Sequence, residues 1–244
     1  IGSQASFVTI AKVGDWLSGT VQLSEGVTYF YRGVVDRLEM KRLNIKPRPC
    51  GGCLKTNKVP MDPRRQRRIK SWRNGDGNII DLLIAYPSET ASAAGGKFAL
   101  EAEVSKAVEE TNLCYRNSRV GIQVRLVHLT EITSSTTGNI ETDLERLENP
   151  TDGYMDNVHD LRDQYGADLV ALLATDGNSG GLANTMMHPS LNFASQGFSV
   201  SVWDQIGAPS YTLAHELGHN MGCLHNREDS GDVDDGYDFR AFSY

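Results

Sequence analysis

Residues 215–225 read HELGHNMGCLH, with three histidines and one glutamate at close spacing. On an α-helix, residues four apart lie about 40° apart around the axis and about 6 Å apart along it. His215 and His219 can therefore present two imidazole rings to one metal ion. Glu216 is turned from His215 by about 100°, so its carboxylate can reach a water molecule on that metal and not the metal itself. The pattern predicts a metal-binding helix that carries its own catalytic base.

A third ligand follows directly after this predicted helix. Gly222 is the residue type that ends a helix in the left-handed conformation without a Cβ penalty. The chain can then turn back and bring His225 to the same metal. Three protein ligands leave the fourth position of a tetrahedral zinc open, which is typical of catalytic zinc sites. We therefore expect one catalytic Zn²⁺ ion held by His215, His219 and His225, with Glu216 as the general base.

The wider stretch 212–222, TLAHELGHNMG, resembles the metzincin zinc endopeptidases, and most closely their reprolysin-like (adamalysin/ADAM-type) branch. The likeness runs from about residue 78 to the end of the sequence. It implies an α/β domain with a twisted, mixed and mostly parallel sheet, an active-site helix and a cleft for extended peptides. It also implies a cleft-edge strand that binds the substrate backbone by strand addition, and the matching residues here are Gly181, Leu182, Ala183 and Asn184.

Two features depart from the family pattern. Asn226 follows the third histidine, where reprolysins usually carry Asp. Metzincins also place a Met-containing turn beneath the zinc further along the chain, whereas the last methionine here is Met221. We therefore expect the catalytic domain to be truncated before that turn.

The charge of the chain is divided between two regions. Residues 1–78 contain 15 Lys and Arg against 6 Asp and Glu, whereas residues 79–244 contain 9 against 25. Such a division indicates two units that attract one another. A nucleic-acid-binding arm is the alternative interpretation, but the basic residues concentrate at 64–73 without interleaved aromatic residues. We expect no nucleic-acid partner.

The predicted elements support a two-part organisation. Residues 7–43 form short β-branched or aromatic runs, so the sequence predicts a β-rich pro-segment and basic linker over 1–77, with 44–78 as the linker. A catalytic domain is predicted over 78–244. Its predicted strands cover 79–86, 121–130, 167–173 and 198–203, and its predicted helices cover 97–117, 141–148, 153–165 and 210–221. The alternation of strands and helices favours a largely parallel sheet covered by helices.

Cys50 and Cys53 form a C-x-x-C pair, which is compatible with half a zinc knuckle, a redox pair or a local disulfide. A knuckle needs a second such pair, and a redox pair normally lies between a strand and a helix. Residues 47–51, PRPCG, resemble the P-x-x-C-G pattern of metzincin propeptides, in which the cysteine thiolate occupies the open zinc position and keeps the zymogen latent. Cys50 is therefore the candidate cysteine switch. A disulfide with Cys53, or inert thiols, is the alternative.

A basic run follows this cysteine pair. Arg65, Arg67 and Arg68 form a candidate processing site in the stretch RRQRR, although a solvated basic stretch is the ordinary role of such a run. Cleavage there would separate the basic segment from the acidic domain. The two remaining cysteines, Cys114 and Cys223, are expected to be buried thiols or a disulfide.

Length and composition agree with a globular protein. The chain has 244 residues, of which 39% are hydrophobic and 23% charged, and no apolar run approaches the length of a membrane span. The sequence predicts a secreted zinc endopeptidase made as a latent zymogen, with protein or peptide substrates and a processing protease as partners. The alternative is a non-catalytic zinc-binding or interaction module with a degenerate or permanently capped site.

Overall fold

The computed structural model describes residues 7–23, 27–42, 48–51, 53–55, 79–188, 190–225 and 241–242, with only the backbone at 53–55 and 241–242. The predicted processing site at Arg65, Arg67 and Arg68 lies outside the described residues, as does Asn226.

The first part of the chain forms a four-stranded antiparallel sheet, which we call the N-terminal sheet. Its strands follow one another in the order β1 (Phe7–Val13), β2 (Trp16–Gln22), β3 (Thr28–Val34) and β4 (Arg37–Arg42). Gly14 has a φ of 57° in the tight turn between β1 and β2, a conformation that glycine adopts without strain. The predicted β-rich character of residues 7–43 is confirmed.

A second sheet of six strands dominates the rest of the chain. Its strands are β5 (Cys53–Lys55), β6 (Ile79–Pro87), β7 (Gln123–Ile132), β8 (Leu169–Ala174), β9 (Gly181–Thr185) and β10 (Phe198–Val202). They lie in the order β5-β9-β10-β8-β6-β7, and among these neighbours only β9 and β10 run antiparallel. The sheet is therefore mixed and mostly parallel, as predicted. Two short strands, β11 (Cys223–Leu224) and β12 (Ala241–Phe242), pair separately in parallel.

Helices cover both faces of the six-stranded sheet. They are α1 (Ser88–Ala93), α2 (Lys97–Asn117), α3 (Ile140–Glu148), α4 (Asp156–Tyr165) and α5 (Thr212–Asn220), with 3₁₀ turns at Leu191–Gln196 and Trp203–Gln205. Alternate residues of β6 and β8 enter two different cores: Leu82 and Leu173 pack with α2 and α5, whereas Leu83 and Leu172 pack with α3. Because both faces are buried, these strands appear in the sequence as continuous apolar runs.

The predicted helix over 97–117 matches α2 residue for residue, and the other predicted elements agree with the structure within a few residues. Within the predicted linker over 44–78, Cys53–Lys55 forms a short strand that the sequence did not predict, because this segment pairs with β9. Pairing with an existing strand here outweighs a local composition rich in Gly and Pro. Among the described residues, no helix is long and apolar enough to cross a membrane.

The N-terminal sheet packs on α2 through buried polar groups. Glu103 and Lys106 on this helix are only 6% and 2% exposed, and Lys106 Nζ lies 2.9 Å from Glu103 Oε2. The hydroxyl of Ser18 in β2 donates to Glu103 Oε1 over 2.8 Å, and Lys106 Nζ lies 4.0 Å from the ring centroid of Phe30 in β3. The N-terminal sheet supplies part of the surroundings of Glu103 and Lys106. The burial of these two charged side chains therefore depends on the sheet.

Candidate metal centre

Helix α5 carries the first two histidines and ends where the sequence predicts. Gly222 has a φ of 96°, and its N–H donates to the carbonyl of His219 over 2.9 Å. The chain then reverses into β11 and brings His225 back toward the helix. His219 Nδ1 lies 2.7 Å from the carbonyl of Cys223, a pairing in which only the ring nitrogen can donate. The proton therefore sits on Nδ1, which leaves the lone pair of His219 Nε2 available to a metal.

Four donor atoms converge beside this helix. The Nε2 atom of His215 lies 3.1 Å from that of His219 and 3.2 Å from that of His225. The Sγ atom of Cys50 lies 3.8 Å from His219 Nε2, and the four ligand atoms all fall within 4.8 Å of one another. A tetrahedral zinc would separate its nitrogen ligands by about 3.3 Å and a nitrogen from a sulfur by about 3.6 Å. The donor set and its spacing fit one zinc ion.

Burial sets the protonation of the groups at this centre. It lowers the pKa of His219 to about 4 and also lowers the pKa of His215, which keeps both rings neutral and able to bind a metal. Glu216 is 0% exposed, and burial raises the pKa of its carboxyl group, while a hydrogen bond from the Cys50 thiol opposes that rise. The Cys50 Sγ atom lies 3.9 Å from Glu216 Oε2, so the thiol lies beside both the histidines and the predicted base.

Backbone pairing on both sides of Cys50 holds it in place. The N–H of Gly180 donates to the carbonyl of Pro49 over 2.9 Å, and the N–H of Gly51 donates to the carbonyl of Gly181 over 2.8 Å. Two residues later β5 pairs in parallel with β9. We call the described residues 48–51 and 53–55 the docked segment. The predicted cleft-edge strand, Gly181 to Asn184, is therefore not at the edge of the sheet in this structure, because the docked segment covers it.

Two neighbouring glycines lie where the docked segment and the helix meet. A Cβ atom added at Gly181 would lie 2.6 Å from both Glu216 Oε1 and the Thr212 Cγ2 atom. A Cβ atom at Gly180 would instead meet the docked segment, at 3.0 Å from the carbonyl oxygen of Arg48. Sequence reasoning did not single out this close approach, although a Gly pair at the start of a strand is a signal for one.

Asn220 is a second feature that sequence reasoning missed. It is buried at the end of α5, and its amide donates to the carbonyls of Asn184 in β9 over 2.9 Å and Phe198 in β10 over 3.0 Å. The last paired residues of β9 and β10 are Ala183 and Ser199, and each is adjacent to one of these two acceptors. The side chain therefore ties the metal-binding helix to both strands where their ladder stops.

A small cavity of about 100 Å³ opens beside the centre. Residues from both parts of the chain line it: Arg48, Cys50, Gly181, Ser210, Thr212, His215 and Glu216.

The thiols of Cys114 and Cys223 are not among the four donor atoms of this centre. Cys50, Cys114 and Cys223 carry no disulfide, so the alternative of a bond between Cys50 and Cys53 is not found. Burial raises the pKa of the Cys114 and Cys223 thiols, which disfavours the reactive thiolate.

The sequence is similar to those of known metallo-peptidases. A family model described as Reprolysin_5, metallo-peptidase family M12, matches residues 76–239. The chain is 29% identical over 222 residues to a peptidyl-Asp metalloendopeptidase of Stenotrophomonas maltophilia strain R551-3, a match that covers 90% of this chain and 51% of that protein. It is 28% identical over 221 residues to the protein of the same name from Xanthomonas campestris pv. campestris, covering 89% of this chain and 51% of that one.

The chain spans about half the length of these curated relatives. The family model covers about two thirds of the chain, including the docking strand β9, the helix α5 and the three histidines. The chain therefore belongs to the M12 family of metallo-peptidases.

Proposed function

We propose that this protein is a secreted, zinc-dependent endopeptidase that is made as a latent zymogen. One observation carries the proposal: three histidine nitrogens converge beside a buried glutamate, with the sulfur of Cys50 as a fourth donor. Three histidines are the donor set of a catalytic zinc site, and the fourth donor comes from a separate part of the chain.

The residues have separate roles in peptide hydrolysis. His215, His219 and His225 would hold the zinc, which supplies a water of lowered pKa and polarises the scissile carbonyl. Glu216 accepts a proton from the attacking water and delivers it to the leaving amine. Its complete burial supports this role, since a raised pKa brings a carboxylate closer to the pH at which it both takes and returns a proton.

Strand β9 is the proposed substrate-binding strand, through Gly181, Leu182, Ala183 and Asn184. The docked segment already makes backbone hydrogen bonds to this strand, which supports binding of an extended protein or peptide substrate in its place. The relatives are named peptidyl-Asp metalloendopeptidases, so peptide bonds beside Asp are the first substrates to test.

Latency is proposed to come from Cys50, and activation from cleavage at Arg65, Arg67 or Arg68 by a processing protease. Such a cut would detach the basic residues 1–68 from the acidic remainder of the chain. The cysteine would leave with the detached part, and water would replace the thiolate.

Substitution Glu216→Gln tests the catalytic role. In the protein cleaved near Arg68, we expect this change to abolish cleavage of a denatured protein while zinc content stays near one ion per chain, because Glu216 acts on water. The matched variant His219→Ala should lose zinc and activity together. Loss of zinc in step with activity in Glu216→Gln would contradict the assigned role. A parent protein that binds zinc but cleaves nothing would instead favour a non-catalytic zinc-binding module.

A further inference from the structure

The side chain of Arg48 occupies a specific place on the C-terminal unit, by which we mean the described residues 79–188 and 190–225. Its Nη1 atom donates to Asp176 Oδ1 over 2.6 Å and to the carbonyl of Gly177 over 2.9 Å. Both acceptors belong to the loop that follows β8. The hydrogen bond to Asp176 raises the pKa of the Arg48 guanidinium, and the negative charge of Asp204 adds to this rise. A single cationic group thus meets one carboxylate, one carbonyl and a second, more distant carboxylate.

The loop that accepts this guanidinium is anchored independently of Arg48. The N–H of Gly177 donates to Asp176 Oδ1 over 2.8 Å, which orients the carboxylate. The N–H of Asn178 donates to the carbonyl of Gly138 over 3.1 Å, and Asn178 Oδ1 accepts from the N–H of Ile140 at the start of α3 over 3.1 Å. These hydrogen bonds lie within the C-terminal unit, so they hold residues 176–178 of the loop without a contribution from the docked segment.

The distance along the chain between Arg48 and Cys50 fixes how far this loop lies from the metal centre. Arg48 precedes Cys50 by two residues, and the backbone between them is paired to the start of β9. In an extended chain, side chains two residues apart point to the same side and lie about 6.6 Å apart. A peptide that adds to β9 with one residue at the metal would therefore bring the side chain two residues away to Asp176.

We propose that Asp176 and the carbonyl of Gly177 form a subsite for an Arg side chain of the substrate, two residues from the residue at the metal. In the uncut chain Arg48 fills this subsite. The inference rests on the proposed peptidase function and adds a substrate preference to it. The relatives' names point to an acidic residue at the cleavage site, whereas this subsite selects a cationic residue at another position.

The exposure of the Asp176 side chain sets the expected size of the preference for Arg. The side chain of Asp176 is 74% exposed, and an exposed ion pair contributes up to about 1 kcal/mol, or about a fivefold change in an equilibrium or rate constant. A charge-based preference should also weaken in high salt, since the screening length falls from about 10 Å at 0.1 M to about 3 Å at 1 M.

The test uses the protein cleaved near Arg68 and a set of otherwise identical peptides. Arg or Gln is placed in turn at each of the three positions on either side of the scissile bond, and kcat/KM is measured for each pair. We expect one position to favour Arg about fivefold in low salt and much less in 1 M salt. Asp176→Asn should abolish the preference, whereas the matched change Asp160→Asn, at an exposed site on α4, should leave it intact.

Two results would overturn the subsite: no position at which Arg is favoured, or a preference that survives Asp176→Asn. If the cleaved protein hydrolyses no peptide at all, the proposed function fails, and binding decides the subsite separately. The peptide KPRPCG, which corresponds to residues 46–51, should then bind the zinc-loaded cleaved protein more tightly than its Arg48→Gln version. Equal affinities of these two peptides would exclude the subsite.

Discussion

The N-terminal part of the chain meets the C-terminal unit at two places that differ in kind. The contact between the N-terminal sheet and α2 is formed by side chains and encloses the charged pair of Glu103 and Lys106. The contact between the docked segment and β9 is formed largely by backbone hydrogen bonds and places one sulfur atom at the metal centre. The first contact lies on a helix whose residues take no part in the metal centre, whereas the second adjoins Glu216.

This difference separates two tasks that the proposed latency would require. Backbone pairing to a strand fixes position with little dependence on side-chain identity. Burial of matched polar groups, in contrast, makes one part of the chain depend strongly on the other. We infer that the sheet contact holds the N-terminal part in place and that the strand contact blocks the site.

The largest expected effect comes from breaking the sheet contact. Glu103→Ala removes the partner of a nearly fully buried Lys106 and the acceptor of the Ser18 hydroxyl. In the uncut chain this should lower the free energy of unfolding by about 3 kcal/mol. In the chain freed of residues 1–68 the same change should cost less than about 1 kcal/mol, because water then reaches the lysine. Denaturant unfolding of both forms measures the difference.

The control for this prediction is Glu101→Ala on the same helix. Glu101 pairs with Lys97 over 3.9 Å at a more exposed position. Its loss should cost little in either form. An equal cost of Glu103→Ala before and after cleavage would show that the N-terminal sheet does not create the buried environment of this pair.

Substitutions at the two glycines where β9 begins, Gly180 and Gly181, test the strand contact and have a smaller expected effect. Gly181→Ala would place a methyl group against Glu216 and Thr212, within the machinery of the cleaved enzyme. We expect a loss of activity on the order of tenfold to a hundredfold, since a small displacement of a catalytic group is sufficient. Zinc content should remain, because the atoms nearest to the added methyl group belong to Glu216 and Thr212 and not to a histidine.

Gly180→Ala is the matched change on the other side of the contact. Its methyl group would meet the carbonyl oxygen of Arg48 in the docked segment. This variant should raise the activity of the uncut chain. In the cleaved chain it should raise KM for a peptide that takes the place of the docked segment and leave kcat nearly unchanged, whereas Gly181→Ala should lower kcat, because only the methyl group at Gly181 meets Glu216. If both variants lowered kcat of the cleaved chain equally, the two glycines would not separate the strand contact from the catalytic base.

Much of the fold could be predicted because local patterns agree with the final packing. The helix over 97–117 carries helical periodicity throughout, and β6 and β8 are continuous apolar runs because helices cover both of their faces. The strand Cys53–Lys55 could not be predicted in this way. Three residues in a Gly- and Pro-rich stretch have no periodicity of their own, and they form a strand because β9 lies beside them.

Part of the metal centre could likewise be predicted from the sequence, and part could not. The spacing of His215, His219 and His225 within one short stretch predicts their convergence, because helix geometry and a glycine turn connect them. The contact between Arg48 and Asp176 joins residues 128 positions apart and follows no local rule. The amide of Asn220 likewise acts between strands that only the folded sheet brings together.

The most direct test of the account is the activity of the uncut chain with Cys50→Ser. A hydroxyl is a far poorer zinc ligand than a thiolate, so this variant should cleave peptides without any processing. The uncut parent and the control Cys53→Ser should both remain inactive until they are cut near Arg68. If uncut Cys50→Ser is as inactive as the uncut parent while the cleaved parent is active, the sulfur of Cys50 is not what keeps the site closed.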